Sequence, residues 1–463
     1  MPDSVVLPAT LQTALQTAEQ LLWDRALVHY HDQWAGAIAA LPEDQELAAA
    51  NYREIFIRDN VPVMLYLLLQ GKTDVVRDFL QLSLSLQSQA LQTYGILPTS
   101  FVCEETHCVA DYGQRAIGRV VSADPSLWWL VLLQAYRRAS HDDAFVHSPT
   151  VQQGLQRLLA FLLRPVFNQN PLLEVPDGAF MVDRPLDVAG APLEIQVLLY
   201  GALRACGQLL QYTEAANAAH VQARRLRQYL CWHYWVTPDR LRRWQQWPTE
   251  EFGDRSHNPY NIQPIAIPDW VEPWLGESGG YFLGNMRAGR PDFRFFSLGN
   301  LLAIVFDVLP LNQQGAILRL ILQNEAQILG QVPLRLCYPA LTGSAWKILT
   351  GCDPKNQPWS YHNGGSWPSL LWYLSAAVLH YQQRGGNREL CQVWLDKLQH
   401  YHTQQCEQLP GDEWPEYYEG QDSVQIATRA CRYQTWTFTG LLLNHALLSQ
   451  PQGIQLLSLR GLP

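Results

Sequence analysis

The chain has 463 residues and a formal net charge of −9 at pH 7, with 33 Lys and Arg against 42 Asp and Glu. This acidic balance, without a basic stripe, argues against nucleic-acid binding, which depends on Lys and Arg contacts to phosphates. Hydrophobic residues make up 48% of the chain, enough for a large core. The longest apolar runs are far shorter than the ~20 residues of a membrane helix, and no secretory signal is visible, so we expect a cytoplasmic protein without a membrane partner.

The nine cysteines are scattered and include no Cys-x-x-Cys pair. This usage predicts reduced thiols in a cytoplasmic protein and not a disulfide framework. Cys103, His107 and Cys108 form one corner of a conceivable metal site. Because no second group of ligands follows at a suitable spacing, we expect no metal ion.

Apolar residues recur at helical spacing through most of the chain, and no segment shows a convincing β alternation. Thr73 and Asp74 offer an N-terminal cap for one of the helices. The predicted helices cover residues 10–34, 58–70, 73–93, 126–139, 150–163, 192–210, 214–234, 297–309, 312–329, 367–382, 387–408 and 425–448.

Short turns and long aromatic loops alternate between these helices. Helices in sequential pairs that close on themselves predict an all-α fold of one domain over residues 1–463, a six-hairpin toroid or (α/α)6 barrel. An open solenoid is the alternative, but no repeat of fixed period supports it. A toroid brings the long aromatic loops together at one rim. The Pro-rich region 248–291 is expected to form a lid or an inserted loop.

The loop 351–368 combines Gly and Pro with two Trp, one Tyr, one His, one Asp and two Asn. Its composition excludes helix and strand. Flat rings mixed with hydrogen-bonding groups suit a sugar, which has C–H faces and a hydroxyl rim. A long connection pinned by its aromatic side chains is an equally good interpretation of this stretch alone. Pro368 suits the first turn of the buried helix that follows.

Hydrolysis of a glycosidic bond requires two carboxyl groups that flank the bond. Glu416 lies in a loop among Trp and Tyr side chains, which tend to raise the pKa of a carboxyl by desolvation. Asp183 follows an apolar triplet and precedes Arg184. The alternatives are an exposed loop acid for Glu416 and, for Asp183, an Asp–Arg pair that ties down its loop. The residues alone do not assign which carboxyl is the acid and which the base.

Other polar residues have simpler explanations beside a functional one. Asp59, Asp124 and Glu194 stand at helix starts, where a carboxylate is favourable as a cap or for the helix dipole. His362 is expected to donate a hydrogen bond to substrate or loop, because no Gly-x-Ser-x-Gly elbow accompanies it. No phosphate-binding glycine loop is present.

The sequence resembles the alkaline/neutral invertases, which are cytosolic sucrose-cleaving glycoside hydrolases of plants and cyanobacteria. The matching stretches run in family order over roughly residues 50–445. They are residues 56–59, 111–119, 124–129, 181–184, 192–196, 279–285, 292–294, 337–340, 346–356, 359–368, 414–418 and 433–436.

The resemblance implies an (α/α)6 barrel that hydrolyses sucrose to glucose and fructose without a metal or organic cofactor. In the family the Asp of the matching Met-x-Asp-Arg motif is the general acid, which maps to Asp183. The Glu of Trp-Pro-Glu-Tyr-Tyr is the second catalytic carboxyl, which maps to Glu416 and is expected to activate water on the fructosyl side with inversion. The substrate-binding residues are expected to be Arg58, Asp59, Asp124, Trp128, Arg184, Glu194, Gln196, Tyr281, Arg294, His362, Asn363, Trp367 and Gln434.

The chain departs from the family pattern at Asn60, in the loop 185–192 and at residues 429–432. These departures keep two alternatives open. One is a sugar-binding protein of the same fold without catalysis, and the other is an inverting hydrolase or phosphorylase of another small glucoside or glucan. Self-association is also expected, with the apolar C-terminal helix as its surface.

Overall fold

The computed structural model describes residues 9–41, 51–115, 117–245, 258–277 and 279–459. Within these residues the α-helices are Ala9–Leu21, Asn60–Leu69, Thr73–Ser85, Asp124–Ser140, Asp143–Val146, Pro149–Leu162, Leu193–Leu209, Thr213–His233, Pro238–Gln245, Val271–Leu275, Ser297–Val305, Leu311–Gln323, Glu325–Ile328, Gly343–Leu349, Leu371–Gln383, Arg388–Gln408 and Thr435–Ser449. A π-helical turn spans Leu22–Ala26, and 3-10 turns span Leu91–Thr93, Pro165–Asn168, Pro264–Ala266, Pro368–Leu370 and Pro451–Leu457.

Six of these helices form a closed inner ring in which each contacts the next and the last contacts the first. In ring order they are Asn60–Leu69, Asp124–Ser140, Leu193–Leu209, Ser297–Val305, Leu371–Gln383 and Thr435–Ser449. Almost every residue of these helices is buried, for example all nine residues of Ser297–Val305. A helix that is apolar on all sides requires neighbours all round, and the ring supplies them.

A second set of helices packs around the ring and alternates with it along the chain. These outer helices are Ala9–Leu21, Thr73–Ser85, Pro149–Leu162, Thr213–His233, Leu311–Gln323 and Arg388–Gln408. They are amphipathic, with one buried face: Thr213–His233 buries Ala216, Ala219, Ala223, Leu226 and Leu230 at helical spacing. The predicted (α/α)6 barrel is therefore confirmed.

The inner helices run parallel because an outer helix returns the chain between them, so all of them begin at the same rim. Short antiparallel strands tie the segments at this rim together. The strands are Leu27–Tyr30, Gln33–Ala37, Ile55–Phe56, Ser100–Cys103, Cys108–Asp111, Ala191–Pro192, Trp235–Val236, Tyr281–Phe282, Asn285–Met286, Phe295–Phe296, Cys337–Tyr338, Tyr418–Glu419 and Gln425–Ile426. Most are two residues long, which is too short for an alternating pattern to show in the sequence.

Four local predictions are wrong. The helix expected over residues 10–34 ends at Ala26, and a β-hairpin of Leu27–Tyr30 and Gln33–Ala37 follows, turning through His31 at φ 51°. The helix expected over residues 73–93 ends at Ser85, and the helix expected from residue 425 begins at Thr435. In these three cases an apolar spacing that fits a helix continues by chance into a neighbouring loop or strand. No side-chain cap from Thr73 is present, because Thr73 is already inside its helix.

The prediction that all thiols are reduced is also wrong, since Cys103 and Cys108 form a disulfide. They are paired opposite each other on the strands Ser100–Cys103 and Cys108–Asp111, so a hairpin brings them together. Because the two sulfurs are bonded to each other, Cys103 and Cys108 do not form the partial metal site considered from the sequence. The other seven cysteines are free.

The apolar C-terminal helix is not a surface for self-association. Thr435–Ser449 belongs to the inner ring, and its apolar side chains are buried there. Of the predicted lid region, residues 248–257 and 278 lie outside the described residues. The remainder packs on the barrel, where the ring of Trp274 stacks on Tyr338. Among the described helices, none is both long enough and apolar enough to cross a membrane.

Candidate active site

A narrow cleft opens at the rim where the inner helices begin, and its free volume is about 30 Å³. It is built from segments that are far apart in the chain, so only the closed barrel assembles it. The residues that line it are Ala39, Asn51, Tyr52, Phe56, Arg58, Asp59, Ile117, Met181, Asp183, Tyr361, His362, Trp367, Glu416, Gln434 and Trp436.

Asp183 and Glu416, the two carboxyls singled out in the sequence, both line this cleft. Of the expected binding residues, the structure brings together with them Arg58, Asp59, His362, Trp367 and Gln434. Two carboxyls facing one cleft are what acid–base cleavage of a glycosidic bond needs.

Glu416 is held tightly. The Tyr52 hydroxyl lies 3.0 Å from Oε1 and 3.1 Å from Oε2. The Lys355 ammonium donates to Oε2 at 3.2 Å, and the backbone N–H of Cys431 donates to the same oxygen at 3.4 Å. Only 3% of the side chain is exposed. Its orientation is therefore set by three donors from three separate segments.

Asp183 is held loosely. Among the described residues, the only hydrogen bond to its carboxyl is a long one, from the Tyr361 hydroxyl at 3.4 Å. Although 17% of the side chain is exposed, its position deep in the cleft raises the pKa to about 6, against the opposing cations Arg58, Lys355 and Arg184. Such a carboxyl keeps its proton into the range where a general acid is useful.

His362 is buried at the base of the cleft, with Nδ1 3.8 Å from Oδ1 of Asp183. Burial lowers the pKa of His362 well below its usual range, and the nearby cations act in the same direction. The imidazole is therefore neutral, and its contact with Asp183 is not a charge pair. The ring stacks on Trp367, with ring centroids 5.4 Å apart.

Four charged groups are buried at the starts of three inner helices. Arg58 donates to Asp124 at 2.9 Å, and its Nε lies 3.6 Å from Asp59. Burial raises the pKa of Asp59 to about 7 despite this Arg. Asp124 and Glu194 lie behind the cleft lining, and burial raises the pKa of Asp124 and brings that of Glu194 to about 8. The Arg58 guanidinium is thus the nearby positive charge for Asp59, Asp124 and Glu194. Its charge offsets the burial of Glu194 least.

Several buried polar atoms that face the cleft make no hydrogen bond within the described part of the chain. Such atoms are costly unless a ligand or water satisfies them. They are Nε of Arg58, Oδ1 of Asp59, Nδ1 of His362, Oε1 of Gln434 and Nε1 of Trp436. This mixture of donors and acceptors around aromatic rings matches the hydroxyl groups of a sugar.

The loop after Asp183 is clamped by its neighbours. The carboxyl of Asp177 accepts hydrogen bonds from the backbone N–H groups of residues 186–188. Arg184 pairs with Asp353 at 3.0 Å, so it lies beside the cleft and does not line it. These contacts tie the backbone on both sides of Asp183, whereas its carboxyl stays free to meet a substrate.

Three predicted binding residues serve the scaffold. Trp128 is buried in the barrel against Phe306 and Tyr373. The Gln196 amide accepts a hydrogen bond from the backbone N–H of Leu173 and donates one to its carbonyl. The Asn363 amide bonds the backbone of residues 341 and 356. Their side chains lie outside the cleft lining because each is fully engaged in packing or in holding a loop.

Tyr281 and Arg294 also lie outside the lining. The Tyr281 hydroxyl donates to the carbonyl of Phe293 at 2.7 Å. Arg294 makes a buried ion pair with Asp292 and donates to the carbonyl of Leu186, within the loop that follows Asp183. Their position in matching motifs reflects support of the rim, and Arg294 supports the catalytic loop itself.

Two groups that hold Glu416 were not predicted from the sequence, Tyr52 and Lys355. Lys355 carried a signal, because it is the only cation in an otherwise neutral or acidic aromatic loop, residues 351–368. Tyr52 carried none, because it is one Tyr among 20 and lies 364 positions from its partner Glu416.

A second groove, wider than this cleft, is not the candidate active site. It has a volume of about 520 Å³ and is mainly apolar, and Glu174 is the only carboxyl that lines it. A lone carboxyl does not provide acid–base cleavage of a glycoside. Among the residues described, no group of three His, Cys, Asp or Glu side chains is arranged to hold a metal ion.

Comparisons with known proteins agree with this site. A sequence profile described as "Alkaline and neutral invertase" matches residues 18–451. Neutral/alkaline invertase 1, mitochondrial, of Oryza sativa subsp. japonica is 37% identical over 460 residues, covering 94% of this chain and 72% of the relative. Alkaline/neutral invertase CINV2 of Arabidopsis thaliana is 35% identical over 455 residues, covering 94% and 79%.

Solved structures share the fold at much lower identity. A wild-type glycosidase superposes with a TM-score of 0.56 at 11% identity, covering 96% of this chain and 99% of that one. A bacterial glucoamylase complexed with acarbose gives 0.54 at 11% identity, covering 96% and 57%. The solved structures share the barrel fold, and the sequence profile and the relatives above 30% identity cover nearly the whole chain. The chain therefore belongs to the alkaline and neutral invertase family of glycoside hydrolases.

Proposed function

We propose that this protein hydrolyses sucrose to glucose and fructose, with Asp183 as general acid and Glu416 as the carboxylate that activates water. The observation that carries the proposal is the pairing of these two carboxyls in one cleft, with opposite environments. Relatives that cover nearly the whole chain are named invertases, which supports sucrose as the substrate.

The proposed reaction follows from the two environments. The proton of Asp183 passes to the glycosidic oxygen as the bond to the anomeric carbon breaks. Glu416 takes a proton from a water molecule, and the water oxygen forms the new bond to the anomeric carbon from the opposite face. The sugar released therefore has the inverted configuration.

The assignment of acid and base rests on the groups around each carboxyl. Asp183 has a pKa raised to about 6 by burial and can deliver a proton. Glu416 contacts an ammonium group and accepts hydrogen bonds on both oxygens, an arrangement suited to a carboxylate. The reverse assignment would require the proton donor to face a cation at 3.2 Å.

Sugar binding is proposed for Arg58, Asp59, His362, Trp367 and Gln434, joined by Trp436. All of them except Trp367 have a buried polar atom without a hydrogen bond, which offers a contact to a hydroxyl group, whereas the indole N–H of Trp367 already bonds Tyr361 and its ring remains for stacking. The free volume of about 30 Å³ is well below the ~300 Å³ of small-molecule sites. A disaccharide therefore needs a wider cleft than the one in this structure.

The experiment is NMR of the products formed by purified protein from sucrose, read before mutarotation. The expected result is glucose and fructose, with inversion at the carbon that is attacked. A retained configuration would make Glu416 a nucleophile. Absence of any reducing sugar would overturn the proposal and leave a sugar-binding protein, which calorimetry with sucrose detects. Other disaccharides, with and without phosphate, show whether a different glucoside is preferred.

Matched variants test the two carboxyls. Asp183→Asn and Glu416→Gln should each lower sucrose turnover by at least about 10²–10⁴-fold. Glu413→Gln makes the same change in the loop of Glu416, but at an exposed residue outside the cleft, and should leave turnover unchanged. Unchanged turnover in either of the first two removes that residue from the mechanism.

We also propose that the protein works in the cytosol. One relative from rice is named cytosolic invertase 1, which supports this location, whereas others are named mitochondrial or chloroplastic. Fractionation of the source cells, followed by detection of the protein with an antibody, tests it.

A further inference from the structure

We propose that Lys355 is a positioning residue that keeps the two carboxyls in complementary roles, holding Glu416 directly and Asp183 through the ring of Tyr361. The inference rests on the proposed function, because it explains how one carboxyl becomes the base and the other the acid. It concerns a residue that does not itself line the cleft.

Lys355 is buried, with 8% of its side chain exposed. A buried ammonium group is costly unless its charge is compensated. Its Nζ donates to the Tyr52 hydroxyl at 2.9 Å and to Oε2 of Glu416 at 3.2 Å. It also lies over the ring of Tyr361, 4.0 Å from the centroid. One carboxylate, one hydroxyl and one aromatic face thus surround the cation.

Tyr52 doubles the link to Glu416. Its hydroxyl accepts from Lys355 and donates to the carboxyl of Glu416. A hydroxyl polarised by an ammonium is a better donor, so the charge of Lys355 acts on Glu416 both directly and through Tyr52. Both routes favour the ionised form, which is the form that takes a proton from water.

The link to Asp183 is indirect. The ammonium fixes the ring of Tyr361 by a cation–π contact, and the Tyr361 hydroxyl reaches Oδ1 of Asp183 at 3.4 Å. Lys355 also lowers the pKa of Asp183, but burial acts more strongly in the opposite direction. Asp183 therefore carries its proton below about pH 6, and the cation stabilises the carboxylate that remains after the proton has left.

The backbone around Lys355 is tied to the residue that follows Asp183. The carboxyl of Asp353 accepts a hydrogen bond from the backbone N–H of Lys355 at 2.8 Å and pairs with Arg184 at 3.0 Å. Asn356 donates to the carbonyl of Pro185 at 3.1 Å. The loop that delivers the cation and the loop that carries the acid therefore form one unit.

A pH test has to consider every titratable group that acts on Glu416. Burial raises the pKa of the tyrosines and the thiol among them far above neutral, so they stay uncharged in the range tested. Besides Lys355, these groups are Tyr52, Asp59, Asp183, Tyr361, Tyr417 and Cys431.

The experiment compares Lys355→Met and Lys355→Arg with the wild type in the pH dependence of kcat/KM for sucrose. The acid limb of this profile reports loss of the form of the enzyme that activates water. Lys355→Met removes the cation, so this limb should move to higher pH by about 1–3 units. At the optimum kcat should fall by about 10²-fold with KM within about threefold, because the sugar contacts remain. Lys355→Arg keeps the charge and should keep the acid limb within about half a unit.

The outcomes separate this inference from the proposed function. Wild-type protein that releases no reducing sugar refutes the function itself. Active wild type with an unmoved acid limb in Lys355→Met overturns the role of Lys355, as does a rise in KM without loss of kcat. If Lys355→Met does not fold, Tyr52→Phe decides. It retains the ammonium and removes only the indirect route, so an upward shift of the acid limb of less than about one unit supports the cation, and a larger shift overturns it.

Discussion

Asp183 and Glu416 face the same cleft, yet the protein treats them differently. Glu416 receives hydrogen bonds from Tyr52, Lys355 and the Cys431 backbone, and it is almost fully buried. Asp183 has one long hydrogen bond, and burial raises its pKa to about 6. The difference teaches that burial alone does not decide the charge of a carboxyl. The groups that donate hydrogen bonds to a carboxyl also decide its charge. Here three of them contact Glu416, whereas Asp183 has the one long hydrogen bond.

The largest expected effect tests the different roles of Asp183 and Glu416 directly. It uses a substrate whose leaving group, fluoride, needs no proton. Asp183→Asn should lose about 10²–10⁴-fold on sucrose but stay within about tenfold of wild type on a glycosyl fluoride. Glu416→Gln should lose activity on both substrates, because water activation is still required. Steady-state rates on glucosyl and fructosyl fluorides provide the measurement. Equal losses of the two variants on the fluoride would contradict the division of roles.

A third buried carboxyl sharpens the comparison, because Glu194 has neither the cation of Glu416 nor access to the cleft. Burial raises its pKa from 4.5 to about 8, so its contribution to stability is fully present below pH 4.5 and is lost as pH rises through 8. Each titrating proton changes the free energy of unfolding by about 1.4 kcal/mol per pH unit. Glu194→Gln cannot ionise and should show a shallower decline.

Urea denaturation of wild type and Glu194→Gln at pH 5, 6, 7 and 8 measures this decline. Glu413→Gln, at an exposed site, is the matched control and should keep the wild-type slope. Asp59 and Asp183, with pKa values raised to about 7 and about 6, contribute to the slope that remains in Glu194→Gln. A parallel decline in Glu194→Gln and wild type would show that Glu194 is ionised in the folded protein.

A smaller effect is expected from the one hydrogen bond to Asp183. Its proton is present below a pKa of about 6 and lost as pH rises, which sets the alkaline limb of kcat/KM near that value. Tyr361→Phe removes the donor that favours the carboxylate, so the alkaline limb should move up by less than about one unit. The acid limb should stay in place, because Lys355 and Tyr52 still hold Glu416. A shift of the acid limb alone would contradict this assignment.

The smallest effect concerns the disulfide between Cys103 and Cys108, which lies outside the cleft lining. Thiol titration of the unfolded protein should find seven thiols before reduction and nine after it. Cys103→Ser should keep sucrose turnover within about twofold, as is usual for substitutions away from a functional site. Nine thiols without reductant would show that the bond does not form.

The barrel was predictable from the sequence because its inner helices are apolar on every side and its outer helices on one. Helix periodicity carries this information locally. The hairpin after Ala26 was not predictable, because its residues also fit a helical spacing and only the turn at His31 ends it. Pairing between two-residue strands depends on distant partners and leaves no periodic trace.

The sequence singled out Asp183 and Glu416 by their surroundings and by the resemblance of their motifs, and the structure brings both to one cleft. Periodicity and composition do not distinguish cleft residues from their supports. Asn363 lies in the same motif as the lining residues His362 and Trp367, but its side chain bonds the backbone of Leu341. Arg294 lies in another matching motif, and its side chain pairs with Asp292. Only the direction of each side chain, which depends on the closed fold, separates the two groups.

The hydrogen bond between Tyr52 and Glu416 joins positions 364 residues apart. The turn 384–387 separates the neighbouring helices Leu371–Gln383 and Arg388–Gln408, with Gly385 at φ 81° in open space. A break there would leave Asp183, Tyr52 and Lys355 on one fragment and Glu416 on the other. Neither fragment alone would hold a pair of carboxyls, so sugar release would report the reunion of the two halves, and the barrel could serve as a split reporter.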